Sequence, residues 1–233
     1  MQMKNFNLGL FGKKYFDTIY YFNKFKLSET NIPYKIEQNI GGIYNFKKIL
    51  NNKINYFFFK NGETHAKIIS DLKTSSRTSI LTNSTNAELI DINYDEIDWI
   101  HISYIDDLEN IESVLDKKPI SIDFCKEENR KKYLNIINKS KIVFDSRERR
   151  HLYNDLKTKT PIILHDPFGC ECLVNNKIIY SQKCKPIKGM HVNGAGDIFC
   201  GIFLYTLYNK SLKEAIKTSC QKTTKNLIKI NEI

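Results

Sequence analysis

The sequence predicts a three-layer α/β/α sandwich, in which a mainly parallel central sheet carries helices on both faces. Two observations support this prediction. The chain has 233 residues, of which 41% are hydrophobic, and this is enough for one sizeable core. Short apolar or β-branched runs also alternate with segments of helical periodicity, as in strand–helix–strand units. We therefore expect residues 1–233 to form a single domain.

Six apolar runs are predicted as strands. The first, at residues 6–11, ends at Gly12, and the second, at residues 54–59, is closed by Asn61 and Gly62. The other four runs lie at residues 99–102, 120–122, 142–144 and 161–164. Helical patterns lie around residues 42–52, 107–116, 127–138 and 146–156.

Two segments, residues 18–38 and 64–82, break this alternation. Each mixes apolar and polar residues on both sides of a turn, which is typical of antiparallel hairpins with one solvent-exposed face. We expect the two hairpins to form a small β-lid outside the main sheet.

The C-terminal segment is predicted to be a helix. Ser211 and Glu214 form a capping box, in which each side chain bonds a backbone N–H group of the other residue. The apolar residues that then share an inner face are Leu212, Ala215, Ile216, Cys220 and Leu227.

The composition indicates which classes of binding partner and which cellular compartment to expect. The net charge is +10, but the basic residues are scattered in pairs, whereas nucleic-acid-binding proteins concentrate them on one face. No apolar run has the length of a membrane span, and no leader segment is recognisable. The six cysteines show no metal-binding spacing and fit a reducing compartment. We expect a cytoplasmic protein with no nucleic-acid or membrane partner.

Residues 193–201, Asn-Gly-Ala-Gly-Asp-Ile-Phe-Cys-Gly, form the most informative stretch. Small residues precede an apolar helix, whose unpaired N–H groups and dipole favour a bound phosphate. Asp197 in the first turn would face the same phosphate. A carboxylate there is suited to accept the proton of an attacking hydroxyl group. A plain glycine-rich turn followed by a capping Asp is the alternative interpretation.

A second motif runs from Asn39 to Asn45 and contains Gly41 and Gly42. The glycine pair lets the backbone approach a small polyol, and the Asn45 amide can hydrogen-bond a hydroxyl group. Alone, this motif also fits a simple helix start.

Together, and in this order, the two motifs resemble the two signatures of the ribokinase (PfkB) family of carbohydrate and nucleoside kinases. The first motif matches a signature in which Gly-Ala-Gly-Asp is followed by an apolar residue, a Phe and, a few residues later, a Gly. The second motif matches a signature in which Gly-Gly is followed shortly by Asn. The resemblance implies a ribokinase-like fold with a β-lid, phosphoryl transfer from ATP to an alcohol group, and Mg²⁺. It implies that Asp197 is the catalytic base and that backbone N–H groups of Gly194, Ala195 and Gly196 stabilise the transferring phosphoryl group.

Weaker matches extend the resemblance over nearly the whole chain. Gly12 and Asp17 look like the family's first loop, whose Asp grips substrate hydroxyls. Glu148 matches the Glu of N-x-x-E, which implies a role with magnesium. The implied substrate-binding residues are Asp17, Gly41, Gly42 and Asn45, and the implied nucleotide-binding residues are Asn193 and Gly169.

Arg77 lies in the second lid hairpin. Its guanidinium could reach a phosphate or carboxylate group of the substrate. An exposed lid arginine is the equally weighted alternative. The five histidines show no ligand spacing and are interpreted as structural.

Four features depart from the family pattern. The chain is short, and the helix and strand that usually follow the second strand are missing, so we expect a sheet that is narrower at one edge. His191-Val192-Asn193 stands where the family often has Asp-Thr-x, which puts activation by a monovalent cation in doubt. Asp145 replaces the Asn of N-x-x-E, and residues 165–168 replace a glycine-containing stretch, which puts the nucleotide's binding mode in doubt.

The sequence thus favours a carbohydrate kinase that acts on a sugar or sugar-like alcohol. A non-catalytic sugar- or nucleotide-binding member of the same fold is one alternative. A nucleoside kinase is another, with Tyr15, Tyr20 or Phe22 as an aromatic slot. A third alternative, a nucleic-acid-binding protein, is supported by the net charge alone. Open edges of the lid strands allow a homodimer through the lid.

Overall fold

Ten strands form one sheet in the computed structural model, which describes residues 6–48, 54–84, 93–108 and 111–231. In chain order they are β1 (Leu8–Phe22), β2 (Lys35–Gly42), β3 (Ile54–Asp71), β4 (Ser76–Ser84), β5 (Trp99–Ile102), β6 (Ile120–Asp123), β7 (Ile142–Ser146), β8 (Ile162–Asp166), β9 (Gly169–Val174) and β10 (Lys177–Lys183).

The order across the sheet is β10-β9-β8-β7-β6-β5-β1-β3-β4, and β2 pairs with β1. The central strands from β3 through β1 and β5 to β8 are all parallel to their neighbours. The pairings of β2, β4, β9 and β10 are antiparallel. The predicted mainly parallel sheet is therefore confirmed.

Buried apolar residues lie in two clusters, one for each face of the sheet. One cluster contains Phe46, Phe203 and Ile216, and the other contains Ile137 and Tyr153. The α-helices are α1 (Leu134–Lys139), α2 (Ala195–Asn209) and α3 (Leu212–Asn231). This arrangement confirms the three-layer architecture.

Within the described residues, the predicted helices between the strands are mostly short 3₁₀ helices, so their predicted type was wrong. Residues 49–52 and 109–110 of the predicted ranges lie outside the described residues. These 3₁₀ helices are Ile43–Lys48, Ile105–Asp107, Ile111–Val114, Arg130–Tyr133 and Arg147–Tyr153. A 3₁₀ helix rises about 2.0 Å per residue, compared with about 1.5 Å for an α-helix. It therefore covers the same axial length with fewer residues.

The lid is an extension of two long strands. The first strand was predicted to end at Gly12 and the second at residues 61–62, but β1 and β3 continue past these points. The pairing between them does break there, because Gly12 pairs with Phe58 and the next pair is Lys14 with Glu63. Across this break β3 carries three more residues than β1, an irregularity of the bulge type, which bends and twists a strand without ending it. Beyond the bulge, β1 pairs with β2 on one side and β3 on the other.

β4 completes a four-stranded lid by pairing with residues 64–71 of β3. Residues 18–38 and 64–82 lie within the two lid hairpins, β1–β2 and β3–β4. β4 pairs only with the lid part of β3. Within the described residues, the part of β3 before the lid is therefore the edge strand of the central sheet.

The predicted capping box begins α3. The Glu214 N–H donates to Ser211 Oγ at 3.3 Å, and the Ser211 N–H donates to Glu214 Oε2 at 3.3 Å. Ala215, Ile216 and Cys220 are buried, as the helical pattern predicted. In the part of the chain that the structure describes, no helix is long and apolar enough to cross a membrane.

Candidate active site

The glycine-rich motif forms the turn into α2. Gly194 caps the helix with φ 76° and ψ 7°, a left-handed conformation that glycine adopts without strain. A Cβ atom there would lie 2.9 Å from Cγ of Asn45, so the glycine also allows close packing. The Ala195 N–H already donates to the carbonyl oxygen of Val192 at 3.1 Å. The first turn of a helix otherwise leaves its N–H groups without intrahelical acceptors.

Asp197 lies in this first turn and is only 4% exposed. Asn45 Nδ2 donates to its Oδ2 atom at 2.7 Å. The Tyr104 phenol donates to its Oδ1 atom at 2.9 Å. Each carboxylate oxygen therefore has a donor from a different part of the chain, and such hydrogen bonds favour the charged form of a carboxylate.

The glycine pair packs against two side chains of β1. A Cβ atom on Gly41 would overlap the carboxylate of Asp17. Gly42 has φ 61°, and a Cβ atom there would lie 2.9 Å from the ring of Tyr15. The structure therefore brings together Asp17, Gly41, Gly42 and Asn45. Asp17 belongs to strand β1 and not to the predicted loop.

Tyr104 was not identified from the sequence. It directly follows Ser103 at the carboxyl end of β5, where no motif marks it. Its ring packs edge-to-face on Tyr15, with 5.2 Å between the ring centroids. Burial raises the pKa of the Tyr104 phenol well above its ordinary value, and the nearby Asp197 carboxylate raises it further. The phenol therefore stays protonated and remains a donor.

Asp123 is a second acidic residue that the sequence analysis missed. It ends β6 and is 7% exposed. Burial raises its pKa well above the ordinary value, and the charges of Asp197 and Asp145 raise it further. Its position could have been anticipated, because ligands bind at the carboxyl ends of the strands in open α/β sheets.

Asp145, the departure from the family's Asn, is held in a buried ion-pair network. Its Oδ2 atom accepts hydrogen bonds from Arg130 Nε (3.1 Å), Arg130 Nη2 (2.9 Å) and the Tyr153 phenol (2.7 Å). Its Oδ1 atom accepts from Arg149 Nε at 2.6 Å. The side chains of Asp145 and Arg130 are wholly buried, so the additional negative charge is balanced locally.

Glu148 is exposed in the first turn of the 3₁₀ helix Arg147–Tyr153. Within the described residues, no group of three or more His, Cys, Asp or Glu side chains could hold a metal ion. Magnesium in kinases commonly binds one or two carboxylates together with substrate phosphates. The exposed carboxylate of Glu148 is a ligand of that kind.

The stretch before Gly169 forms a tight β8–β9 hairpin. Asp166 pairs with Gly169, and Asp166 Oδ1 accepts the N–H of Phe168 at 2.7 Å. Gly169 has φ 134°, and a Cβ atom there would overlap the carbonyl oxygen of Gln182. The close approach of β10 therefore accounts for this glycine.

His165 lies beside the glycine-rich turn. Its ring stacks on Phe199 with 4.7 Å between centroids, and a Cβ atom on Gly196 would lie 3.4 Å from His165 Cε1. Burial lowers the pKa of His165 to about 4, so the imidazole is neutral near pH 7.

Arg77 lies on β4 and is exposed. It pairs with Ser70, which pairs with Tyr21, and residues paired across strands share a face of the sheet. The charge of Arg77 lowers the pKa of the Tyr104 phenol, which opposes the effect of burial. Arg77 therefore acts electrostatically on the site from the lid.

No protein-family model and no curated protein matches the chain. Among solved structures it is similar to the ribokinase of Cryptococcus neoformans var. grubii in complex with ADP, with a TM-score of 0.72 and 13% identity over 94% of this chain and 92% of that one. The chain has the ribokinase-like fold. Other structures with this fold show the range of similar proteins. The fructokinase of Vibrio cholerae, bound to fructose, ADP and potassium, has a TM-score of 0.62 and 14% identity over 96% of this chain and 92% of that one.

A nucleoside kinase shares the ribokinase-like fold as well. The enzyme of Burkholderia thailandensis in complex with inosine has a TM-score of 0.66 and 10% identity, over 93% of this chain and 89% of that one. The fold is therefore common to sugar kinases and nucleoside kinases.

Proposed function

We propose that the protein is an ATP-dependent kinase of the ribokinase (PfkB) family, which phosphorylates a hydroxyl group of a sugar or sugar-like alcohol. The observation that carries this proposal is the placement of Asp197. Its nearly buried carboxylate lies in the first turn of α2, three residues after the left-handed Gly194. A helix N-terminus attracts phosphate, and a carboxylate beside it is placed to receive a proton.

In this proposal the acceptor hydroxyl loses its proton to Asp197 as its oxygen attacks the γ-phosphorus of ATP. The bond from that phosphorus to the bridging oxygen of ADP breaks at the same centre. Backbone N–H groups of Gly194 and Gly196 stabilise the charge on the transferring phosphoryl group. The N–H of Ala195 joins them only if it leaves the carbonyl of Val192, to which it bonds here.

The residues around the glycine pair would hold the acceptor. Asp17 accepts hydrogen bonds from substrate hydroxyls, and Gly41 and Gly42 let the substrate approach the backbone. Asn45 has two tasks, because its Nδ2 atom is engaged with Asp197 while its Oδ1 atom can accept from a hydroxyl. Arg77 is available from the lid for an anionic group of the substrate.

Glu148 and Asn193 would face the Mg²⁺–nucleotide. Magnesium, when bound, neutralises charge on the phosphates. Glu148 supplies a carboxylate for it, directly or through water. We assign Gly169 a structural part in this half of the site, because its conformation shapes the β8–β9 hairpin.

A nucleoside is the second candidate for the acceptor. The edge-to-face pair of Tyr15 and Tyr104 presents two aromatic rings next to Asp197, and a base could pack against them. Of the residues considered from the sequence, Tyr15 has this position. Tyr20 alternates with it to the opposite face of β1.

The lid also bears on the proposed homodimer. Its edge strands expose apolar side chains, namely Ile36 and Ile40 on β2 and Ile80 and Leu81 on β4. A homodimer through the lid stays a prediction, which sedimentation of the purified chain would test.

The deciding experiment measures ADP release from ATP and magnesium across a panel of sugars, sugar acids, polyols and nucleosides. Asp197→Asn is the matched variant, because it keeps the size of the side chain and removes the base. We expect turnover with one class of compound and a loss of more than about 100-fold in the variant. If no compound turns over while one of them raises the melting temperature, the protein is a binding member of the fold and the kinase proposal is wrong.

A further inference from the structure

Tyr104 has a backbone conformation that bulky residues rarely adopt. Its φ is 58° and its ψ is 55°, in the left-handed region. The other described non-glycine residues with positive φ are small polar ones, namely Ser28, Ser75, Asn175 and Asn176. A left-handed residue with a side chain costs about 1–2 kcal/mol, and such strain concentrates at functional sites. The conformation of Tyr104 therefore needs an explanation.

The side-chain contacts of Tyr104 supply one. Its hydroxyl donates to Asp197 Oδ1 at 2.9 Å, and its ring packs against Tyr15 at the base of the lid. A Cβ atom on Gly42 would lie 3.6 Å from Tyr104 Cε2, so the glycine pair also borders the ring. The left-handed turn after β5 thus directs a rigid phenol to one oxygen of the carboxylate.

Asn45 holds the other oxygen of Asp197. Two donors on two different oxygens fix the plane of a carboxylate, whereas one donor leaves it free to rotate. The orientation of a catalytic group has a large effect on rate, since reacting atoms must be aligned.

We propose that Tyr104 is a positioning residue, whose phenol holds the carboxylate of Asp197 in the orientation in which it receives the proton of the acceptor hydroxyl. This inference rests on the function proposed above. It assigns to Tyr104 no contact with the transferred phosphoryl group. The phenol acts through Asp197.

Loss of the phenol hydroxyl would also make Asp197 easier to protonate, because a donor to the charged form would be gone. The other groups that act on this pair stay in place. Asp123 on β6 and Cys200 in the next turn of α2 interact electrostatically with Asp197. Arg77 and Tyr15 of the lid interact electrostatically with Tyr104. A change in titration on removal of the hydroxyl is therefore assignable to that hydroxyl.

The first test is Tyr104→Phe, which keeps the ring and removes one oxygen. We expect kcat to fall about tenfold while KM changes less than about twofold, and the acid limb of the kcat profile to move up by about one pH unit. Tyr133→Phe is the matched control, because that phenol donates to Glu128 at 3.0 Å and does not contact Asp197. Equal kcat values and equal acid limbs in wild type and Tyr104→Phe would overturn the inference.

The second test does not depend on kinase activity. Chains with ¹³C-labelled aspartate carboxyl groups are titrated by NMR without substrate, and Asp197→Asn assigns the signal of Asp197. We expect this signal to titrate at a higher pH in Tyr104→Phe than in wild type. The same titration in both chains rejects the role of Tyr104, whether or not a phosphoryl acceptor has been found. Conversely, a shifted Asp197 titration together with no turnover across the panel of acceptors supports the contact between Tyr104 and Asp197 and rejects the kinase proposal.

Discussion

Nδ1 of His191 lies 2.7 Å from Oγ of Ser70, and this contact joins the loop before α2 to the lid. Nε2 of the same ring lies 2.6 Å from the hydroxyl of Tyr34, and the ring packs edge-to-face on Tyr21. Asn231 adds two hydrogen bonds to the backbone of His191, at 2.8 and 3.0 Å. A histidine thus links the lid, the glycine-rich loop and α3 at the position where the family pattern often has Asp.

We expect the lid to dock less firmly at acidic pH. Burial and the charge of Lys35 lower the pKa of His191, while Asp71 and Glu37 oppose this effect. The unfolded chain therefore binds a proton more readily than the docked histidine does. The docking energy is present above a pH of about 6.5 and is lost as the pH falls through the lowered pKa.

Hydrogen exchange tests this prediction. Protection factors of the lid strands should fall between pH 7.5 and 5.5 in wild type, and His191→Phe should have low lid protection at both values. His151→Phe is the control, since His151 is an exposed histidine paired with Glu127. Lid protection in His191→Phe that equals the wild-type value at pH 7.5 would contradict the linkage.

His101 should make the whole fold sensitive to acid. It is fully buried between Phe46 and Phe144, and burial lowers its pKa to about 3. The unfolded chain binds the proton at about pH 6.5, so stability from this residue falls by about 2 kcal/mol between pH 7 and pH 5. Urea unfolding at both pH values should show a smaller decrease for His101→Phe. An equal decrease in both chains would show that another group is responsible.

Gly194 and Gly189 form a natural pair for testing the glycine-rich turn. Both have φ 76°, but a Cβ atom would meet Asn45 at Gly194 and nothing within 4 Å at Gly189. Alanine at either position should cost about 1–2 kcal/mol of stability. Only Gly194→Ala should also displace Asn45, and we expect its kcat/KM to fall at least about tenfold relative to Gly189→Ala. Similar kcat/KM values in the two variants would show that packing on Asn45 is unimportant.

Asp145→Asn would introduce the residue of the family pattern, yet we expect it to destabilise this chain. The Arg130 side chain is wholly buried and would lose the nearer of its two carboxylate partners, since Asp145 lies 2.9 Å and Asp106 3.8 Å from it. Breaking a buried pair costs about 3–5 kcal/mol. Asp155→Asn removes an exposed partner of Lys131 and should cost less than about 1 kcal/mol. Chemical denaturation compares the two. Equal stabilities would mean that Asp106 alone is enough to balance the charge of Arg130.

Local patterns predicted most of the central sheet. The runs at residues 99–102, 120–122, 142–144 and 161–164 correspond to β5–β8, because buried parallel strands are continuous apolar segments. The glycine-rich motif begins a helix, as its small residues and apolar continuation indicated. β10 was missed, because its hairpin turns on Asn175 and Asn176, both with positive φ, and not on Asn-Gly.

By itself, the sequence determined the three-layer architecture, the start of α2 and the acidic residue in its first turn. These features depend on hydrophobic periodicity and on the backbone freedom of glycine, which are local properties. Only the tertiary structure decided what surrounds Asp197, because Asn45 and Tyr104 lie 152 and 93 residues away from it in the chain. Residues so far apart in the chain form no motif of fixed spacing. They come together only when the folded sheet places the carboxyl ends of its strands beside the start of α2.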